Sequence, residues 1–208
     1  MRTVELFSGT KSFSKVAKKY GHSTFTIDFS PTDQPDLCAD ILAVDSLPSC
    51  DILWASPPCT CFSVASIGTH WGGGYRVYEP KSLGAKTSLL VIQKMLDLIN
   101  KTKPKYWFIE NPRGVLRKLP IMQGLTRHTI TYCQYGDDRM KPTDIWTNYK
   151  EWTPKKPCKN GDTCHVSAPR GSRTGTQGIK GARDRSRIPD GLSIEIFDAL
   201  NPTTEKES

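Results

Sequence analysis

The sequence predicts an α/β fold, a mostly parallel sheet with helices on both faces. Short apolar or β-branched runs alternate with helically patterned stretches through the first two thirds of the 208 residues. Ligand-type residues stand just after several of those runs, where sheets of this class bind their ligands. A final apolar-periodic stretch, IPDGLSIEIFDALN, follows a long polar region and has the pattern of a helix returning to the sheet.

In chain order, RTVELF (2–7) is a short strand. GTKSFSKVAKKYG is a helical stretch with Phe13, Val16, Ala17 and Tyr20 on one side and Gly21 closing it. STFTIDF (23–29) is a β-branched and aromatic strand ending near an acid, and DILWAS (51–56) is the next strand. KTSLLVIQKMLDLINKTK (86–103) carries Leu89, Ile92, Met95, Leu96 and Ile99 at helical spacing. KYWFIE (105–110) and RHTITYCQYG (127–136) supply further strands.

Charge and cysteines narrow the class. The net charge is +8, and between Lys150 and Arg187 ten Lys or Arg face three acids, so that segment carries nearly the whole excess. It is rich in Gly, Ser, Thr and Pro, which predicts a loop-like insert with a nucleic-acid contact surface. Three parts follow: 1–149 as the catalytic and cofactor-binding domain, 150–187 as a small irregular basic insert, and 188–208 as the terminal helix and tail. The seven cysteines are odd in number and irregularly spaced, which argues for reduced thiols over a disulfide framework. With no apolar run of membrane length and no export signal, the chain reads as soluble and cytoplasmic, in a bacterial or phage-infected cell.

The positions after the strands hold FSG, Asp28, SPPC and ENP. A glycine opening a strand-to-helix turn lets a ligand approach the backbone, and an acid ending the second strand suits a ribose diol. Pro57 and Pro58 restrict the chain before Cys59, and a nearby cation or helix N-terminus there would favour its thiolate. Glu110 ends an apolar strand, with a pairing to Arg113 or Arg117 as the structural alternative.

The order FSG, PPC followed by FS, ENP, then QYG and a basic cluster resembles the DNA cytosine-5 methyltransferases over most of residues 4–148. The resemblance implies a Rossmann-like, S-adenosylmethionine-dependent methyltransferase fold acting on double-stranded DNA as a monomer. It implies Cys59 as the nucleophile toward carbon 6 of cytosine, Glu110 at the base's ring nitrogen and amine with Asn111 orienting the loop, and Arg139 and Lys141 as the basic motif. S-adenosylmethionine would lie against Phe7, Ser8, Gly9, Asp28, Phe29, Asp40, Ile41 and Pro57, with a helix cap as the alternative role for Asp40. Thiolate addition breaks the ring's aromaticity and makes carbon 5 a nucleophile, which is why the reaction needs a cysteine on a rigid turn.

The chain departs from the family at four places. Lys11 and Ser12 replace the glycines after FSG, Thr60 replaces a glutamine, Pro112 replaces a valine, and Thr143 stands where a second arginine is usual. Residues 60–85 form a glycine-containing loop with Trp71, Tyr75, Arg76 and Tyr78 that could close on a flipped base. The region available for reading bases is only about forty residues, which predicts a recognition site of about two or three base pairs. Within it, CKNGDTCH offers Cys158, Cys164 and His165 as ligands for a structural zinc, with no fourth ligand evident. An RNA cytosine-5 methyltransferase and a non-catalytic nucleic-acid-binding relative are the rival readings.

Overall fold

A computed structural model describes residues 1–73, 77–167 and 181–201, and its centre is a seven-stranded sheet. Its first part comprises β1 (Arg2–Leu6), α1 (Ser12–Lys19), β2 (Ser23–Asp28) and the two-residue β3 (Leu37–Cys38). Then come β4 (Ile52–Ala55), the single turn α2 (Ile67–His70), the paired β5 (Trp71–Gly72) and β6 (Glu79–Pro80), and the long α3 (Leu83–Thr102). β7 (Tyr106–Pro112), β8 (Arg127–Thr131), β9 (Pro142–Thr147), α4 (Ala182–Ser186) and α5 (Asp190–Leu200) complete the described chain. The sheet order is β3-β2-β1-β4-β7-β9-β8, parallel from β3 to β7, with β9 antiparallel to both of its neighbours.

Buried alternation explains why β4 is apolar throughout. Ile52 and Trp54 join one core with Phe13, Val16 and Ala17 of α1 and Leu192, Ile196 and Phe197 of α5. Leu53 and Ala55 point the other way, into a core with Ile92, Met95 and Ile99 of α3. The terminal helix locks onto the first through Phe197, whose ring lies 4.8 Å from Phe13 and 5.2 Å from Tyr20. Gly191 is required at that junction, because a Cβ there would stand 2.6 Å from the carbonyl oxygen of Tyr135.

Helix starts are secured differently. Ser82 caps α3, its Oγ accepting from Ala85 N–H at 3.1 Å. Lys11 offers α1 no side-chain cap; instead the buried Glu5 carboxylate of β1 accepts from Ser14 N–H at 2.8 Å and Phe13 N–H at 3.3 Å. That burial pushes the Glu5 carboxyl up from 4.5 to about 7.

Two sequence expectations need correcting. The strand expected over 127–136 ends at Thr131, and Tyr132–Tyr135 form a 3-10 turn closed by Gly136 at φ +89°. The chain must reverse there, since Tyr132 N–H donates to Met140 O at 2.9 Å and the next strand returns antiparallel. That strand, β9, lies between β7 and β8 and was not foreseen. The basic insert also begins inside the core: Trp152 is fully buried against Phe108 and donates to Glu195 Oε1 at 3.2 Å.

Candidate active site at the carboxyl edge of the sheet

The loop after β1 makes three left-handed steps, at Phe7 (φ +56°), Gly9 (φ +43°) and Lys11 (φ +55°). Lys11 therefore takes up the conformation that a glycine adopts without strain, which keeps the turn despite the missing glycine. Ser8 N–H donates to Ile27 O at 3.1 Å and Gly9 N–H to Asp28 Oδ2 at 2.8 Å, while Ser30 N–H donates to Asp28 Oδ1 at 2.8 Å. Asp28 is thus fixed through both oxygens, each keeping capacity for one more donor. Ser8 Oγ is buried without a partner among the described residues, and a Cβ on Gly9 would meet nothing within 4 Å. A free hydroxyl and open space beside a fixed carboxylate suit the sugar of a nucleoside-type cofactor.

The remaining residues assigned to that cofactor are spread along the same edge. Phe29 is 77% exposed next to Asp28, and Phe7 packs partly into the core. Asp40 caps the turn Ile41–Ala43, accepting from Leu42 N–H at 2.9 Å, while Ile41 is buried.

β4 and β7 are adjacent and parallel, which puts the segments after them side by side. Asn111 Nδ2 donates to Pro57 O at 2.9 Å, tying ENP to the proline pair before Cys59. Beyond the thiol, Phe62 N–H and Ser63 N–H both donate to Cys59 O, at 2.9 and 3.0 Å. The turn then packs on Gly114, where a Cβ would stand 2.1 Å from Phe62 O. Val115 N–H donates to that same carbonyl at 2.8 Å.

Glu110 is buried and neither Arg113 nor Arg117 pairs with it. Arg117 goes to Asp144, at 2.6 Å, and Glu110 Oε1 accepts from the hydroxyl of Tyr132 at 2.8 Å. Tyr132 was not foreseen as part of the site, although its alternation with the inward-facing Ile130 signals its face. Lys141, strained at φ +27°, stands 4.4 Å from the centre of the Tyr132 ring and donates to Arg185 O at 3.1 Å.

These groups govern one another's charge. Burial, reinforced by the charge of Glu110, pushes the Cys59 thiol up, against the pull of Lys141. Burial also pushes the Glu110 carboxyl up, opposed by Lys141 and the Tyr132 hydroxyl, and pushes the Lys141 ammonium down. Lys141 and Arg185 favour the Cys59 thiolate, as a nearby cation should, but burial and Glu110 outweigh them; the segment after the thiol holds a 3-10 turn at Val64–Ser66 and the short α2.

Arg139 is bonded within the chain. Its guanidinium is buried and bonds Asp137 through Nε and Nη2, with weaker bonds to the carbonyls of Asp184, Arg185 and Arg187. All five of its N–H donors are matched within the chain, so it latches the end of the insert and has no donor left for a base.

The insert contributes a second cluster. Cys158, Cys164 and His165 converge on Cys133, in the turn after β8, with all four donor atoms within 4.8 Å of one another. Gly74, Tyr75 and Arg76 of the expected closing loop, and Arg170, Arg173 and Lys180 of the insert, lie outside the described residues.

The sheet order, parallel but for the antiparallel β9, defines an α/β, Rossmann-like fold. The chain belongs to the C-5 cytosine-specific DNA methylase family, whose model matches residues 1–119. It is 29% identical, over 95% of its length and 99% of the relative's, to a Frog virus 3 (isolate Goorha) protein named "Probable DNA (cytosine-5)-methyltransferase". Among solved structures it is similar to the Entamoeba histolytica methyltransferase EhMeth, with TM-score 0.51 and 12% identity over 76% of this chain. The S. pombe Dnmt2 methyltransferase matches with TM-score 0.48 and 15% identity over 73% of this chain. This chain spans 57% and 51% of those two proteins' lengths, and the EhMeth likeness is one of fold.

Proposed function

We propose that this chain transfers the methyl group of S-adenosylmethionine to carbon 5 of a cytosine flipped out of double-stranded DNA, through a covalent adduct on Cys59. The observation that carries the reading is the Asn111–Pro57 bond, which ties the Cys59 turn to the Glu110 segment across two adjacent strands. S-adenosylmethionine, when bound, supplies an electrophilic methyl group. Asp28 would accept from the ribose hydroxyls, Ser8 and Gly9 would line the methionine side, and Phe7, Phe29, Asp40, Ile41 and Pro57 would complete the cradle.

The electrostatics suggest how Cys59 becomes reactive. In the free protein the thiol keeps its proton, held up by burial and by the charge of Glu110. A flipped cytosine offers Glu110 a ring nitrogen. As the Cys59 thiol gives up its proton, the Glu110 carboxylate would take one up and donate it to that nitrogen, so its charge no longer opposes the thiolate and Lys141 and Arg185 favour it. The thiolate would add to carbon 6 as the ring nitrogen receives the Glu110 proton, and carbon 5 would then attack the methyl group, whose bond to the donor sulfur breaks with its electron pair. Loss of the carbon 5 proton and departure of the sulfur restore the ring and the enzyme.

In this reading residues 1–149 do the chemistry, and the basic insert 150–187 contacts DNA phosphates and reads a short site. The helix from residue 188 closes the sheet, and the enzyme works as a monomer in the cytoplasm. The insert is held together by zinc on Cys158, Cys164 and His165. The direct test is transfer from labelled S-adenosylmethionine to unmethylated duplex, with Cys59→Ala alongside and positions mapped by bisulfite sequencing. Cysteine-dependent label on cytosine supports the reading. Label on RNA alone, or equal label with Cys59→Ala, would sink it.

A further inference from the structure

The described part of the insert has no helix or strand between Trp152 and Val166, yet it follows one path across the turn after β8. Lys155 N–H donates to Tyr135 Oη, Cys158 N–H to Thr131 Oγ1 and Val166 N–H to Asp138 O, each at 3.0 Å. A Lys- and Pro-containing loop with little apolar burial beyond Trp152 needs more than three such bonds to be held, because ordering each residue costs about 1–2 kcal/mol.

Four soft donors sit at its centre. Cys133 Sγ lies 3.1 Å from Cys158 Sγ and 3.7 Å from Cys164 Sγ. His165 Nδ1 lies 3.7 Å from Cys158 Sγ and 3.5 Å from Cys164 Sγ. A tetrahedral zinc with ordinary Zn–S and Zn–N lengths has S–S edges of about 3.8 Å and S–N edges of about 3.5 Å. Of the six edges of such a site, three of these four separations already match, the Cys133–Cys158 edge lengthens with an outward shift of one sulfur, and the remaining two lie within 4.8 Å.

We propose that Cys133 is the fourth ligand of a single Cys3His zinc, and that this ion fastens the basic insert to the catalytic domain at the turn that carries Tyr132. The inference deepens the zinc reading of the insert and rests on it. Binding releases the three thiol protons to solvent and involves no change of oxidation state. Its consequence is positional. Cys133 follows Tyr132, whose hydroxyl holds Glu110, while the exposed Lys156 and Lys159 flank Cys158. One ion would thus set the insert's basic strip and the carboxylate's anchor in a fixed relation.

The test uses the full chain purified without chelators. Elemental analysis is expected to find about one zinc per chain, and Co2+ in its place to give thiolate charge-transfer and tetrahedral d–d bands. Cys133→Ser is expected to lose about a third of the charge-transfer intensity and to weaken Zn2+ binding by at least about tenfold, since even outer-shell changes cost that much. Cys133→His keeps a ligand in place and guards against a folding failure: it should retain the metal with an altered cobalt spectrum. Cys50→Ser, remote from the cluster, should change nothing. Chelation should raise amide exchange over residues 131–138.

A wild-type chain without zinc or cobalt bands overturns both the three-ligand reading and this inference. Full metal with an unchanged spectrum in both Cys133 variants overturns the fourth ligand alone, and unaltered exchange on chelation overturns the fastening.

Discussion

Tyr132→Phe isolates how the carboxylate of Glu110 is held. Both side chains are buried, and the Tyr132 hydroxyl donates to Glu110 Oε1 at 2.8 Å, favouring the ionised carboxyl. A hydrogen bond to a charged group contributes about 1.5–3 kcal/mol, and each pKa unit corresponds to about 1.4 kcal/mol. Its removal should therefore raise the Glu110 pKa by about one to two units beyond the elevation that burial already causes. If transfer needs protonated Glu110, activity falls as pH rises through the pKa of that group. The basic limb of kcat/KM, which reports the free enzyme, should then move up by the same one to two units. The plateau should also drop by about tenfold, because the carboxyl loses the bond that orients it. The assay is a pH profile of methyl transfer to duplex DNA, with cofactor affinity measured in parallel and expected to be unchanged. A basic limb that stays in place, or moves down, would refute the assignment of Glu110 as the proton donor held by Tyr132.

Three further outcomes follow from the same structure. Glu5 titrates near 7 when folded against an ordinary 4.5, so its contribution to stability is full below about pH 4.5 and is lost as pH rises through about 7. Against Glu5→Gln, the wild type's unfolding free energy should fall by up to about 3 kcal/mol across that window in urea titrations; a pH-independent difference would contradict this. Gly114→Ala places a methyl 2.1 Å from Phe62 O, and should cost about 1–3 kcal/mol along with most of the activity; an unchanged melting temperature would mean the two loops separate freely. Asp28→Asn sets an amide against the N–H of Gly9 or Ser30 and removes a charged acceptor, so calorimetry should show S-adenosylmethionine binding about 10- to 100-fold weaker; wild-type affinity would remove Asp28 from the site.

What the sequence conveyed, and what it did not, divides by range. The strands β1, β2, β4 and β7 and the helices α1, α3 and α5 write their burial into periods of two or 3.6 residues, so each is legible within its own segment. The positions of Cys59 and Glu110 at the ends of their strands were legible because proline and strand-end patterns are also local, and β4 and β7 pair in parallel. β9 escaped because its place between β7 and β8 depends on a reversal at Tyr132–Tyr135, a feature that strand-like residues such as Tyr132 conceal.

The raised thiol of Cys59 was not legible for a different reason. A cation beside a cysteine predicts a depressed thiol only when the cost of burying the charge is small. Here Glu110 from β7, Lys141 before β9 and Cys59 after β4 share one desolvated space, so the sign of the shift belongs to the group and to none of its members alone. That arrangement also supplies a reason for the enzyme to wait for its base. With Glu110 charged, the thiolate is disfavoured; with Glu110 protonated and hydrogen-bonded to a ring nitrogen, as proposed above, the opposing charge is gone. In the proposed mechanism a nucleophile that stays protonated until a flipped base arrives would be guarded against premature reaction, and the guard would be a carboxylate on the adjacent strand, about fifty residues away in the chain.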